Sequence, residues 1–182
     1  MKVIIFHGTG DSSQAYWYQW LKGELEKQGH SVETPDYPKT NRVPVDELLP
    51  EVLANHTFDK DTVLVGHSSG VPLILSILER IDTKIFRAVL VAGFCSPLPG
   101  DTNPILQDSY NWPVIRKHAD AFVMLNSDND PWGCNDVQGR AMFDQLGGAL
   151  IIRHEGHFGS NTTNQPYPEF PLLRDVILEP VL

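Results

Sequence analysis

The segment Thr62-Val63-Leu64-Val65 runs without a break into Gly66-His67-Ser68-Ser69-Gly70, and from there into a helical pattern marked by Leu73, Ile74, Ile77 and Leu78. A β-branched run that becomes a helix within five residues leaves little choice of geometry. The chain must fold back sharply at the serine, and the residues two before and two after it then approach so closely that side chains would collide. Gly66 and Gly70 stand at those two positions. Pro72 is tolerated because the first turn of a helix has N–H groups without intrahelical partners. Strand, G-x-S-x-G and helix in this order form the pattern of a nucleophile elbow, where the helix directs its free amides and positive end at charge developing beside the serine. Ser68 is therefore the candidate nucleophile. Ser69, where the helix begins, is better suited to offer its backbone N–H to an oxyanion than its hydroxyl to chemistry.

Around this element, short β-branched runs at 3–6, 31–34, 62–65, 86–92, 121–126 and 149–153 alternate with helical patterns. Trp17, Leu21 and Leu25 recur at helical spacing after the capping-type residues Ser12 and Ser13, with Gly29 as the stop. Further helices are expected at 45–54, 69–81, 112–117, 137–146 and 172–181. The alternation predicts an α/β fold with a mostly parallel sheet of about six strands, and 182 residues suit a single domain spanning 1–182. Only the stretch 93–120 lies between the fourth and fifth strands, which leaves space for a short lid and none for a large cap domain. In such sheets the site lies beyond the carboxyl ends of the strands, so the residues that follow each run are the ones to inspect.

A serine hydroxyl needs a neutral imidazole to take its proton, and the imidazole needs a carboxylate to fix its tautomer. After the fifth run comes Ser127-Asp128-Asn129-Asp130-Pro131-Trp132, and after the sixth His154-Glu155-Gly156-His157-Phe158. Asp130 is preferred to Asp128 because Pro131 pins the turn that follows it. His157 is preferred to His154 because Gly156 lets it leave the line of the strand. The order Ser68, Asp130, His157 is that of α/β-hydrolases. His154 and His157 form H-x-x-H, but without the glutamate-bearing helix of a zinc protease, so no metal and no cofactor is expected. His7-Gly8-Thr9-Gly10 follows the first strand and contributes backbone: the Thr9 amide is the candidate second oxyanion donor beside that of Ser69.

His7-Gly8-Thr9-Gly10 with Trp17-Tyr18, Gly66-His67-Ser68-Ser69-Gly70, Asp128-Asn129-Asp130-Pro131 and Gly156-His157-Phe158 together resemble the small serine hydrolases related to the retinoblastoma-binding serine hydrolase, a compact branch of the α/β-hydrolases. The resemblance covers nearly the whole chain and implies a triad at Ser68, Asp130 and His157 and activity toward simple carboxylic esters. The chain departs from the pattern at Trp132-Gly133-Cys134, where apolar and proline residues are expected.

A net charge of -9, from 23 acidic against 14 basic residues, provides no footprint for nucleic acid or an anionic membrane surface. The apolar run at the start is too short for a secretory or spanning segment, so a cytoplasmic protein acting on a small ester-like molecule is expected. Cys95 and Cys134 lack the spacing of a redox or zinc pair and read as idle thiols. Tyr110, Trp112, Trp132 and Phe158, on loops near the strand ends, are candidate acyl-pocket residues. Two other functions would account for parts of the pattern. Gly8-x-Gly10 with Glu33 or Asp36 as a ribose ligand would make a dinucleotide site, but Ser13 replaces the third glycine of that fingerprint. A non-catalytic interaction module on the same scaffold would have no need of all three triad residues.

Overall fold

The computed structural model describes residues 1–100 and 102–179. Six strands, β1 (Lys2–Phe6), β2 (Ser31–Glu33), β3 (Thr62–His67), β4 (Ile85–Val91), β5 (Ala119–Ser127) and β6 (Ala149–Arg153), alternate with six helices. These are α1 (Tyr18–Glu26), α2 (Val45–Asn55), α3 (Gly70–Arg80), α4 (Trp112–Lys117), α5 (Asp136–Leu146) and α6 (Pro171–Leu178). All strands pair in parallel, in the order β2-β1-β3-β4-β5-β6. The helices fall into two packed groups, α1 with α6 and α2 through α5 in succession. Right-handed crossovers require this division, because β1 to β2 moves one way along the sheet and every later connection moves the other.

Strands covered on both faces must be apolar throughout. β3 is buried along its whole length, and β1 and β4 are buried at all but one position each. Helix α3 lies at the centre of its layer and is buried from Gly70 to Leu78, whereas β6, the last strand, is only partly covered. The strand order reverses at β1, which places the loops after β1 and β3 side by side: Phe6 is registered with Gly66. A crevice at such a switch point is where open α/β sheets bind ligands.

Most helix ends fall within one residue of expectation, and two differ by more. Helix α1 starts at Tyr18, capped by no side chain, because the Ser13 amide and hydroxyl both bond the Asp36 carboxylate across the loops instead of capping a helix. Helix α6 ends at Leu178, with Glu179 already extended; positions 180 and 181 of the expected helix lie outside the described residues. Between β4 and β5 the only helix among the described residues is the six-residue α4, so nothing there forms a cap domain. No helix of the described residues is long and apolar enough to cross a membrane.

Candidate active site

Ser68 sits between β3 and α3 with φ 54°, the left-handed region that non-glycine residues avoid. Its amide is held by the Val91 carbonyl at 2.9 Å and its carbonyl accepts from the Val71 amide at 3.0 Å, so the turn is fixed from both sides. The flanking glycines are dictated by contact. A Cβ on Gly70 would lie 2.4 Å from the Phe6 carbonyl oxygen, and one on Gly66 would lie 2.8 Å from the carbonyl of Gly70.

The loops after β5 and β6 are joined by the pairing of those strands, with Ser127 in register with Arg153 and the Asp128 amide bonded to the Arg153 carbonyl at 2.9 Å. Two aspartate–histidine pairs result. Asp128 meets His154 at 2.6 Å, with both side chains more than half exposed, and Asp130 meets His157 Nδ1 at 2.7 Å, with both side chains buried. Burial distinguishes the two: water screens the outer pair, while the inner pair is held in a low-dielectric setting where its hydrogen bond is strong. The second Asp130 oxygen accepts from the Trp132 amide at 2.8 Å, which orients the carboxylate. With His157 Nδ1 committed to Asp130, Nε2 is the nitrogen left to accept a proton.

Ser68 and His157 both line one cavity of about 350 Å³ at the carboxyl end of the sheet. Thr9 also lines it, and its hydroxyl donates to Ser69 Oγ at 2.9 Å, tying the loop after β1 to the start of α3. The side chain of Ser69 is thereby occupied. Trp132 lines the cavity and is 43% exposed, so it forms part of the rim. The other three aromatic candidates do not line it. Phe158 is fully buried and stacks on Phe170 at 5.0 Å, and Tyr110 packs on Trp112 at 5.2 Å, so these rings serve the packing of their own loops. Of the nucleotide-site candidates, Asp36 is engaged by Ser13, and Glu33 by Lys2 and His56.

Three residues around the site were not singled out from sequence. His67, the x in G-x-S, is fully buried between Tyr18 and the His157 backbone: the Tyr18 hydroxyl meets Nδ1 at 2.6 Å, and Nε2 meets the His157 carbonyl at 2.7 Å. Only the Nε2–H tautomer satisfies both partners, with Tyr18 as donor and the carbonyl as acceptor. Gln165 holds the other side of the same segment, accepting from the amides of His157 and Gly159. Buried Asn126, at the end of β5, donates to the carbonyls of Gly93 and Cys134 and so anchors the acidic loop. No sequence period marks these residues, because each acts through partners distant in the chain.

Burial, followed by repulsion from His157, pushes the His67 pKa down to about 3. Unfolded, a histidine titrates near 6.5, so the folded state binds fewer protons over the interval between the two values and stability falls as pH drops below about 6.5. The urea midpoint followed by circular dichroism is expected to fall steadily from pH 7 to pH 4, and a His67→Gln variant, less stable at pH 7, is expected to lose part of that slope.

Cys134 is buried yet reaches the cavity wall, where the Ser68 hydroxyl is a hydrogen-bonding neighbour. Burial, with the Asp130 charge beside it, pushes its thiol well above the ordinary range, so it is a weak nucleophile. Ligand atoms of Asp130, Cys134 and His157 lie within 4.8 Å of one another, which makes this trio, among the described residues, a set that could hold a metal ion. His154 and His157 do not converge in this way: His154 is turned out to Asp128.

Residues 3–175 match a family model described as serine hydrolase. YdeN of Bacillus subtilis (strain 168) is 27% identical over 97% of this chain and 94% of its own length. The serine hydrolase RBBP9 of Rattus norvegicus is 27% identical over 71% of each chain. The crystal structure of the B. subtilis ydeN gene product superposes with a TM-score of 0.87 over 97% of this chain and 96% of that one. A methylesterase, MES16 from Arabidopsis, shares the fold at 17% identity with a TM-score of 0.63, covering 98% of this chain and all of that one. The architecture is the α/β-hydrolase fold in a compact form.

Proposed function

The chain belongs to the serine hydrolase family, and from that premise we propose that it cleaves a small carboxylic ester through a triad of Ser68, His157 and Asp130. The observation that carries this reading is the buried Asp130–His157 pair, opening on the same cavity as a serine held at positive φ between a strand and a helix. Ser68 attacks the carbonyl carbon while His157 Nε2 takes the hydroxyl proton, and Asp130 steadies the imidazolium that forms. The amides of Thr9 and Ser69 hold the oxyanion at the mouth of the nucleophile elbow, where the positive end of α3 adds to their field. His157 then passes its proton to the leaving alcohol, and water repeats the cycle on the acyl-enzyme.

A cavity of about 350 Å³ without a cap domain suits short acyl groups, because ligand sites that enclose larger molecules extend to roughly 1,000 Å³. A fluorophosphonate probe tests the proposal directly. Stoichiometric labelling mapped to Ser68 by peptide mass spectrometry is the expected outcome. Absence of labelling on folded protein would make the chain a non-catalytic member on a hydrolase scaffold.

A further inference from the structure

We propose that Asp11 is a cation-recognising residue of this cavity, and that the preferred esters carry an ammonium group close to the scissile carbonyl. The inference rests on the serine-hydrolase reading of the same site and adds its substrate class.

Asp11 lines the cavity with Ser68 and His157. A turn closed by the Asp11 amide on the Gly8 carbonyl, at 3.3 Å, bends the side chain back over Gly8. A Cβ on Gly8 would lie 2.9 Å from Asp11 Oδ2 and 3.1 Å from Ser68 Cβ, so carboxylate and nucleophile flank the same glycine. A positive group two or three bonds from a carbonyl attacked by Ser68 would fall within reach of Oδ2.

The carboxylate is held by a built arrangement. Tyr16 donates its hydroxyl to Asp11 Oδ1 at 2.9 Å and accepts from the Asn161 amide at 3.2 Å. To reach this position Tyr16 takes φ 48°, and Gly159 must lack a side chain, since a Cβ there would lie 2.5 Å from the Tyr16 ring. Backbone strain of this kind persists where surrounding structure imposes it and is concentrated at functional sites. Burial, together with the neighbouring Asp11 charge, pushes the Tyr16 hydroxyl up to about 12, which keeps it a donor at neutral pH.

What the arrangement lacks is a positive partner. Neither lysine nor arginine lines the cavity, and among the described residues no ion pair includes Asp11. Arg42 approaches Gly10 but forms no ion pair with Asp11. Burial pushes the Asp11 carboxyl above the usual carboxylate value, offset only partly by Tyr16 and the nearby His7 and His157. A carboxylate shut off from water is costly unless paired, and a cationic substrate closing over Asp11 would supply that charge. The same carboxylate would repel an anionic acyl group.

Ethyl β-alaninate, ethyl butanoate and monoethyl succinate offer a cationic, a neutral and an anionic acyl group of similar length. At pH 7 the expected order of kcat/KM is cation, neutral, anion. The cation should lead the neutral ester by roughly ten- to a hundredfold, the range for one hydrogen bond to a charged group. Asp11→Asn, nearly isosteric, should bring the kcat/KM values of the cationic and neutral esters to within a few-fold of each other. Equal rates for the cationic and neutral esters in the parent, or an equal loss on all three in Asp11→Asn, would overturn the proposal. Calorimetric binding of β-alaninamide against butanamide to Ser68→Ala protein repeats the comparison without turnover: an Asp11-dependent preference for the cation supports it and equal binding overturns it. Hydrolysis without charge preference would defeat this inference alone, and hydrolysis that survives Ser68→Ala would defeat the catalytic reading beneath it.

Discussion

Replacing Ser68 with alanine is expected to cut ester turnover by roughly four or more powers of ten while leaving the protein folded. The hydroxyl is small, and its loss removes no packing on which the turn depends: the turn is held by the backbone bonds from Val91 and to Val71, and by contacts at Gly66 and Gly70. Alanine also pays a conformational penalty at φ 54°, but a modest one compared with the loss of the attacking group. Residual rates should then reflect what the oxyanion donors and substrate positioning supply without a nucleophile. The measurement is kcat on a short-chain ester, with circular dichroism and a urea midpoint as checks on the fold. Near-parental turnover by folded Ser68→Ala would remove the serine from the mechanism.

The second large effect separates two aspartates that differ by two positions. Asp130→Asn is expected to lower kcat by roughly four powers of ten, because an amide at this site no longer accepts from His157 Nδ1 as a charged partner and favours the wrong imidazole tautomer. Asp128→Asn should change kcat by no more than a few-fold. Its partner His154 is turned to solvent, and an exposed pair contributes little even to stability, about 0–1 kcal/mol. The comparison is internally controlled, since both aspartates belong to one loop and both partners to the next. If Asp128→Asn were the more damaging, the acid role would move outward by two residues and the buried pair would be structural.

The sequence pattern conveyed the sheet well because its central strands are covered on both faces and so read as unbroken apolar runs. The expected limits of β6, and of helix α4 with its proline in the first turn, match the structure. The start of α1 at Tyr18, without a side-chain cap, departs from the pattern for an equally physical reason. Ser12 and Ser13 carry the side chains of capping residues, but the Asp36 partner that claims Ser13 is supplied by a loop whose approach no local rule foresees. The proposed triad residues Ser68, Asp130 and His157 stand out in the sequence because glycine and proline punctuate the loops that carry them. Of the aromatic candidates, Trp132 lines the cavity. Tyr110, Trp112 and Phe158 lie close to the strand ends in sequence, yet which way a loop ring turns is decided by tertiary partners such as Phe170. Asp11, His67 and Gln165 were passed over for the same reason, since their significance lies wholly in what they touch.

Strand β6 is the last in the order, paired along one side only and only partly covered, and its final residue, Arg153, precedes His157 by four positions. The proposed base is thus suspended from the margin of the molecule, while the proposed nucleophile directly follows its most deeply covered strand. Margins of sheets open at lower free energy than centres. Gentle warming or dilute denaturant should therefore silence the enzyme while most of its spectroscopic signature persists, so durability of activity is governed by the fastening of β6 to β5 more than by the strength of the interior.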